Sequence, residues 1–449
     1  MNYELLKAAI ENEANNQGIT EYEIYYMSNE ELSLDTLNRK PNSFSSGNSG
    51  GICLRVLHDG KIGYASSELM EEGEMRSLVS RAKENAIATE KPDTVGIYKG
   101  SESYAELKNA NYQLKSAAEL KNVCREMADE LYGASDKVAP GTATYGITAG
   151  FEIHLSNSHG LDLETKCGIN LVQAMAVICD DGKYENNYDA KELKDGEIID
   201  LSSMAKDIVE KAILKANAGL VESGKYNVVL SGKQMRTLLS VYSSVFSAKM
   251  AQMGMSLLKG KEGEKIAADI VTITDDPMRE GVSIQTNFDA EGVSAYRKSV
   301  VEAGVLKTLL HNRETAAIQG VESTGNASKG SYASPVAISP YAFCLEAGDK
   351  SEDELFAMAK DGIYITELKG LHAGANSITG DFSLEAAGFR ITDGRVGEAV
   401  KSFTVAGNFF QLLKSIVALS DNVEVAITGG FTTFGAPAVL LYDMSIAGK

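Results

Sequence analysis

The stretch Gly370–Ser383, GLHAGANSITGDFS, places His372, Asn376, Thr379, Asp381 and Ser383 among three glycines. An imidazole near a carboxylate can move a proton, and a hydroxyl beside them can act as nucleophile. The same Asn, Asp, Ser and Thr residues also suit a turn whose side chains bond their own backbone. A binding loop and a structural turn both remain open at this point. A second polar loop, Val321–Pro335, reads VESTGNASKGSYASP. Its backbone amides could hold a peptide or an anion, and a plain surface loop between strands is the alternative.

Other chemical signatures fail on residue type or order. Gly219–Tyr226, GLVESGKY, approaches a phosphate-binding loop, but Tyr226 stands where Ser or Thr must hold magnesium. The order there is also helix, loop, strand, so no helix N-terminus faces a phosphate. The five histidines are His58, His154, His159, His311 and His372, with no His-Glu-x-x-His among them. His154 and His159 are five apart, on opposite faces of a strand. No Gly-x-Ser-x-Gly elbow is present. These patterns predict no metal site in this chain, unless one is gathered by tertiary contact from Cys344, His311 and His372.

The bulk properties narrow the class. The 449 residues carry 43 basic and 62 acidic side chains, a net charge of −19. Nucleic acid and anionic membrane both need a cationic surface, so neither is expected as a partner. The N-terminus, MNYELLKAAIENEANNQG, has neither a basic n-region nor an apolar h-region, and a cytoplasmic location is expected. The five cysteines are odd in number and widely spaced. They are expected to be reduced thiols rather than a disulfide framework.

The elements that must position the polar loops show a duplication. YEIYYMSNEELSL from Tyr22 resembles FEIHLSNSHGLDL from Phe151. Each copy follows a helical pattern, leads into a hairpin at Asp59-Gly60 or Asp181-Gly182, and closes with a helix. Asp-Gly between alternating apolar runs marks a hairpin because glycine accepts positive φ. The first half therefore reads as two copies of helix, antiparallel meander, helix. After the strand KYNVVL comes one long helical pattern, KQMRTLLSVYSSVFSAKMAQMGMSLL. Many short strand signals follow, among them IVTITDD, VSIQTNFD and YAFCLEAG, with a further Asp393-Gly394 turn. The helix EDELFAMAKDG interrupts them with Ser351 as N-cap, and FFQLLKSIVALSDN gives a second helical signal. The expected fold is α+β: a duplicated helix–meander–helix layer, then a β-rich, barrel-like domain. The expected boundaries are 1–95, 110–220 and 225–449.

The C-terminal half carries a resemblance. NFDAEGVSAYRKSVVEAGVLKTLLHNRETAA, STGNASKGSYASP and GANSITGDFSLEAAGFRITDGRVGEAVKSFTVAGN together resemble the TldD/PmbA family, once called modulators of DNA gyrase. That resemblance implies an N-terminal α+β duplication and a C-terminal barrel-like domain. It also implies two branches. The TldD branch carries His-Glu-x-x-x-His on the helix after a VVL strand, and a cysteine near the C-terminus, which together bind zinc for peptide hydrolysis. Here the helix after Val228–Leu230 has Ser240 and Val245 at the histidine positions and Val241 at the glutamate position. AITGGFTTFGAPA offers no cysteine. Serine and valine replace neither imidazole nor thiolate on zinc, and valine moves no proton.

The chain thus resembles the PmbA branch, also called TldE. The implied role is a non-catalytic subunit paired with a zinc-bearing TldD-like chain, or a homodimer, with no cofactor of its own. The implied substrate is unfolded peptide, such as microcin-type precursors and the CcdA antitoxin. His372, Asn376, Thr379, Asp381, Ser383, Asn326, Arg313 and Asn408 are the candidates for its peptide-binding or interface surface. The alternatives are a homodimeric binding or regulatory protein without a protease partner, and a hydrolase acting through His372 with Asp381 or a loop serine.

Overall fold

The computed structural model describes residues 3–107, 112–429 and 432–449. The first repeat is α1 (Tyr3–Asn16), β1 (Glu21–Leu37), β2 (Lys40–His58), β3 (Lys61–Ser67) and α2 (Glu72–Ala88). The second is α3 (Ala117–Ala134), β4 (Ala143–Asn157), β5 (Asp162–Asp180), β6 (Lys183–Glu192) and α4 (Leu201–Ala216). Both hairpin turns form as the sequence implies. Asp59 and Gly60 sit at φ 49° and 74°, Asp181 and Gly182 at 48° and 77°, the paired positive values a two-residue turn needs.

The repeats do not build separate sheets. β1 pairs antiparallel with β4 from Glu23↔Asn157 to Leu37↔Ala143, giving one six-stranded sheet in the order β3-β2-β1-β4-β5-β6. Alternation along each strand divides the sheet into two faces. On one face Ile24, Ile52, Leu54 and Val56 pack under α1 and α2. Further along it Val172, Ala174, Ala176 and Ile178 pack under α3 and α4. On the opposite face Tyr25, Met27, Cys53 and Leu155 meet Phe288 from the C-terminal half.

That half contains β7 (Gly224–Leu230), α5 (Gly232–Tyr242), α6 (Ala248–Gln252), β8 (Ile273–Asp275), β9 (Lys298–Glu302), β10 (Val305–Leu306), α7 (Arg313–Gln319), β11 (Ala327–Ser328), β12 (Ala337–Ile338) and β13 (Ala342–Leu345). It continues through α8 (Glu352–Ala359), β14 (Gly362–Lys369), α9 (Leu371–Gly374), β15 (Asp381–Thr392), β16 (Arg395–Asn408), α10 (Phe409–Ser415), β17 (Ile416–Leu419), β18 (Glu424–Gly429), β19 (Thr432–Ala436) and β20 (Val439–Ala447). Strands β16, β15, β14, β7 and β20 are bonded in that order. β16 then pairs back onto β20 through Thr404↔Ala447 and Val405↔Ile446, which closes a five-stranded barrel. A second sheet runs β10-β9-β8-β13-β19-β18. Met235, Leu238, Leu239 and Tyr242 of α5 share one core with barrel residues Val228, Ile363 and Phe403 and with Ile273, Phe343 and Phe434 of the second sheet. α5 is therefore the element between the two β-layers.

Two expectations need correction. The long helix expected over Lys233–Leu258 breaks after Tyr242 into a 3₁₀ turn, Ser243–Phe246, and restarts as α6. Serines cause the break. The Ser243 hydroxyl donates to the Ser240 carbonyl at 2.8 Å, Ser247 is extended, and the Ser256 hydroxyl takes the Val245 carbonyl. Such side-chain bonds compete with helical ones. The strand expected in VSIQTNFD is absent. The Asp289 carboxylate organises the following loop, accepting the N–H groups of Glu291, Val293 and Ala327 at 2.9–3.0 Å.

Candidate functional site

The Gly370–Ser383 loop joins β14 to β15 and is tied down by its own polar groups. Asn376 Oδ1 accepts the N–H of Ile378 and Thr379 at 2.9 and 3.1 Å. Asn376 N–H donates to the Asp381 carbonyl at 2.8 Å. Asn408, opposite Asp381 in the ladder, works from both ends of one amide. Its Nδ2 donates to the Thr379 carbonyl and to Asp381 Oδ1 at 2.8 and 2.9 Å. Its Oδ1 accepts from Phe410 and Gln411 and caps α10. The bonds from Asn408 and Thr379 hold the Asp381 carboxyl below its ordinary pKa. His372 is exposed on α9 and makes no hydrogen bond or ion pair with Asp381; Ser383 is exposed on β15 opposite Ala406. The loop also touches the end of α5, where the Tyr242 hydroxyl donates to the Asp381 carbonyl at 2.9 Å.

That end of α5 is where the resemblance places zinc ligands. Ser240 and Val241 are half-buried there, and Val241 leans on the core. Val245 is fully buried. These side chains offer zinc no nitrogen, sulfur or carboxylate, so the position does not fit the metal. Gly430 and Phe431, in the region searched for a cysteine, lie outside the described residues. The dispersed ligands considered from sequence are not gathered either. Cys344 is buried on β13 against Gly435, and burial pushes its thiol up to about 12. His311 is buried with its pKa lowered by desolvation, and His372 is at the surface.

Among the described residues, one set of ligand-type side chains does converge: Glu152, His154 and Glu164. Register is the cause, since β4 and β5 pair His154 with Glu164 and Glu152 with Lys166. His154 Nε2 lies 2.6 Å from Glu152 and 3.9 Å from Glu164. The Lys166 ammonium contacts both carboxylates, at 3.5 and 2.5 Å, so these acids already have a cation between them. The short turn after Asn157 could have revealed this pairing in the sequence.

Asn326 and Arg313 lie elsewhere, in the part of the C-terminal half that meets the first repeat. Asn326 is fully buried; its Nδ2 donates to Asp275 Oδ2 at 2.7 Å and to the Ser339 carbonyl at 3.1 Å. Arg313 opens α7 and reaches the linker after α2, donating to the carbonyls of Gly96 (2.9 Å) and Val95, with its guanidinium over the Tyr98 ring. Beside it is a cleft of about 770 Å³. Cys53, Arg55 and Tyr64 of the first sheet line it. The 89–95 segment, Glu291, α7 and Ala333–Val336 complete the lining.

This cleft holds buried charge that composition could not reveal. Arg55 is 5% exposed, donates to the Gly96 carbonyl at 2.8 Å and lies 3.7 Å from Glu23. Burial opposes its charge, but Glu23, Tyr64 and Glu291 hold it protonated. Burial pushes the Glu291 carboxyl up, against the Arg313 N–H and Arg55. The neighbouring Asp289 is pushed up to about 7 by burial and by Glu291. The overlooked signal was a charged residue inside the apolar run ICLRVL. A volume near this size with a few convergent polar groups is the usual form of a small-ligand or peptide site.

Comparison with known proteins now bears on this geometry. Residues 223–448 match the PmbA/TldA metallopeptidase C-terminal domain, and residues 22–86 match PmbA/TldA metallopeptidase domain 1. The chain belongs to the TldD/PmbA family. An uncharacterized protein of Methanocaldococcus jannaschii is 30% identical over 408 residues, covering 89% of this chain and 92% of that one. A crystal structure from Thermotoga maritima, described as a modulator of a DNA gyrase, superposes with TM-score 0.90 at 29% identity over 99% of this chain and all of that one. TldE from Thermococcus kodakarensis superposes with TM-score 0.85 at 23% identity, over 99% of this chain and 100% of that one, a likeness of fold. The mixed α+β architecture with its C-terminal barrel is the family's. No helix among the described residues is long and apolar enough to cross a membrane.

Proposed function

We propose that this chain is a non-catalytic, peptide-binding subunit of a metallopeptidase system, on the PmbA/TldE side of its family. The observation that carries the reading is the end of α5, with Ser240, Val241 and buried Val245 where a zinc peptidase needs two imidazoles and a carboxylate. Zinc polarises a peptide carbonyl and activates water when it is bound by a competent chain. This chain's contribution is then to hold unfolded peptide, in the cytoplasm, for a zinc-bearing partner. The Arg55–Glu291 cleft suits that task by its size and by its mixture of polar and apolar lining residues. The tied loop at Gly370–Ser383, beside α5, supplies a second exposed polar surface.

The test is elemental analysis of protein purified without chelator, together with cleavage of an unfolded peptide by this chain alone. The expected result is no tightly held zinc and no turnover, with cleavage appearing only when a zinc-bearing family member is added. About one equivalent of zinc with chelator-sensitive cleavage by the chain alone overturns the reading.

A further inference from the structure

Buried charge also sits away from the cleft, inside the second sheet of the C-terminal half. Asp275 at the end of β8 and Lys298 at the start of β9 are paired across the ladder, which sets their side chains side by side. Asp275 is fully buried and Lys298 is 7% exposed. Lys298 Nζ lies 3.3 Å from Asp275 Oδ2 and 4.7 Å from the centre of the Tyr296 ring. An ammonium carries three donors, and the Asp275 oxygen is the hydrogen-bond partner found for this one among the described residues. The loop before β11 brings a third side chain to the same oxygen. Asn326, fully buried, donates from Nδ2 to Asp275 Oδ2 at 2.7 Å. A primary amine and a carboxamide therefore meet at one carboxylate oxygen, shielded from solvent.

Two of the three partners are fixed in place. Asp275 Oδ1 accepts the Tyr341 N–H at 2.7 Å. Asn326 Nδ2 also donates to the Ser339 carbonyl at 3.1 Å, and its Oδ1 lies 2.8 Å from the Thr324 hydroxyl. That hydroxyl stands where negative charge would develop if the Asn326 carbonyl carbon were attacked. Lys298 has a flexible four-carbon stem and a single tether. A buried amine becomes a nucleophile once it loses a proton, and the carboxylate beside it is an acceptor within reach.

We propose that Lys298 and Asn326 become joined by an isopeptide bond in the folded chain, with Asp275 carrying the protons. Asp275 takes one proton from the Lys298 ammonium. The freed Nζ lone pair attacks Asn326 Cγ, and the carbonyl electrons move onto Oδ1 beside the Thr324 hydroxyl. Asp275 hands its proton to Nδ2 and takes a second from Nζ. The Cγ–Nδ2 bond then breaks as the carbonyl reforms. Ammonia leaves and takes the second proton from Asp275 as ammonium. One C–N bond forms and one breaks, with no oxidant, metal or added reactant. The link closes a loop from Lys298 to Asn326 that contains β10 and α7, and with α7 the Arg313 beside the cleft. It is independent of the peptide-holding reading, since neither requires the other.

The test is the intact mass of the purified full chain, measured denatured so that it does not depend on folding during the measurement. The chain is expected to be lighter than its sequence by one ammonia, about 17 Da. Trypsin is expected to release residues 298–307 uncut after Lys298 and branched to residues 314–329. Asp275→Asn and Lys298→Arg are each expected to restore the full sequence mass. A wild-type chain at full sequence mass overturns the proposal, and so does an ammonia loss that maps to any other peptide. The branched peptide persisting in an Asp275→Asn chain whose circular dichroism matches wild type overturns the part given to Asp275.

Discussion

Asn408 and His372 show how differently two candidate residues of one loop can be employed. Asn408 divides its amide between two structural tasks, capping α10 and closing the turn before β15. His372 bonds to no loop partner and faces solvent. Asn408→Ala is expected to cost about 1–2 kcal/mol in urea unfolding, from a lost cap and a freed Asp381. His372→Ala is expected to stay within about 0.5 kcal/mol of wild type, so any loss of peptide capture in that variant can be ascribed to binding. Equal stabilities for the two variants would contradict the division. Residue type was legible in the sequence for both, and role was not, because the partner of Asn408 is set by strand pairing across β15 and β16. The buried Arg55, Glu291 and Asp289 escaped notice for the same reason. Their burial arises only when the linker after α2 and the C-terminal half close over the first sheet.

At the scale of elements, what could be read depended on whether the signal was local. Three Asp-Gly turns were legible, including Asp393-Gly394 at φ 49° and 73°, and so was Ser351 as the N-cap of α8. The duplication was legible because each copy repeats its own apolar period. The first half of β2 was not, since a Ser/Gly/Asn strand has no apolar alternation to find. The break in α5 was hidden by apolar spacing that continues through the serines that cause it. Barrel closure also depends on residues that sequence reading passes over. Gly388 lies where the β14–β15 and β15–β16 registers shift, and a β-carbon there would stand 1.8 Å from the Tyr364 carbonyl oxygen. That neighbour is backbone and cannot rotate away. Gly388→Ala is therefore expected to destabilise the barrel by about 1–3 kcal/mol, read as a lower denaturant midpoint. A neutral result would show that the strand can slide at its bulge.

The halves of the molecule are joined by polar bonds beside the apolar patch where Tyr25, Met27, Cys53 and Leu155 meet Phe288. Tyr104 donates to the Gly292 carbonyl at 2.7 Å and Asn287 to the Ala105 carbonyl at 2.6 Å, while Asn157 ties the same linker to the first sheet through the Tyr98 carbonyl at 2.6 Å. Arg313 is the cation in this set. It donates to the carbonyls of Gly96 and Val95, stacks on Tyr98, and its own N–H goes to Glu291 Oε2 at 2.8 Å. More than two hundred positions separate it from those carbonyls, so no local pattern could have announced the pairing. Charged hydrogen bonds of this type contribute about 1.5–3 kcal/mol, and guanidinium geometry is not reproduced by an ammonium. Arg313→Ala is expected to loosen the linker, to open the neighbouring cleft, and to let the first sheet unfold before the C-terminal half. Calorimetry should then show a lower first transition separated from the second. Arg313→Lys should fall between the variant and wild type, because it keeps the charge and loses the paired donors. A single unshifted transition in Arg313→Ala would mean that the apolar patch around Phe288 and Leu155 couples the halves without it.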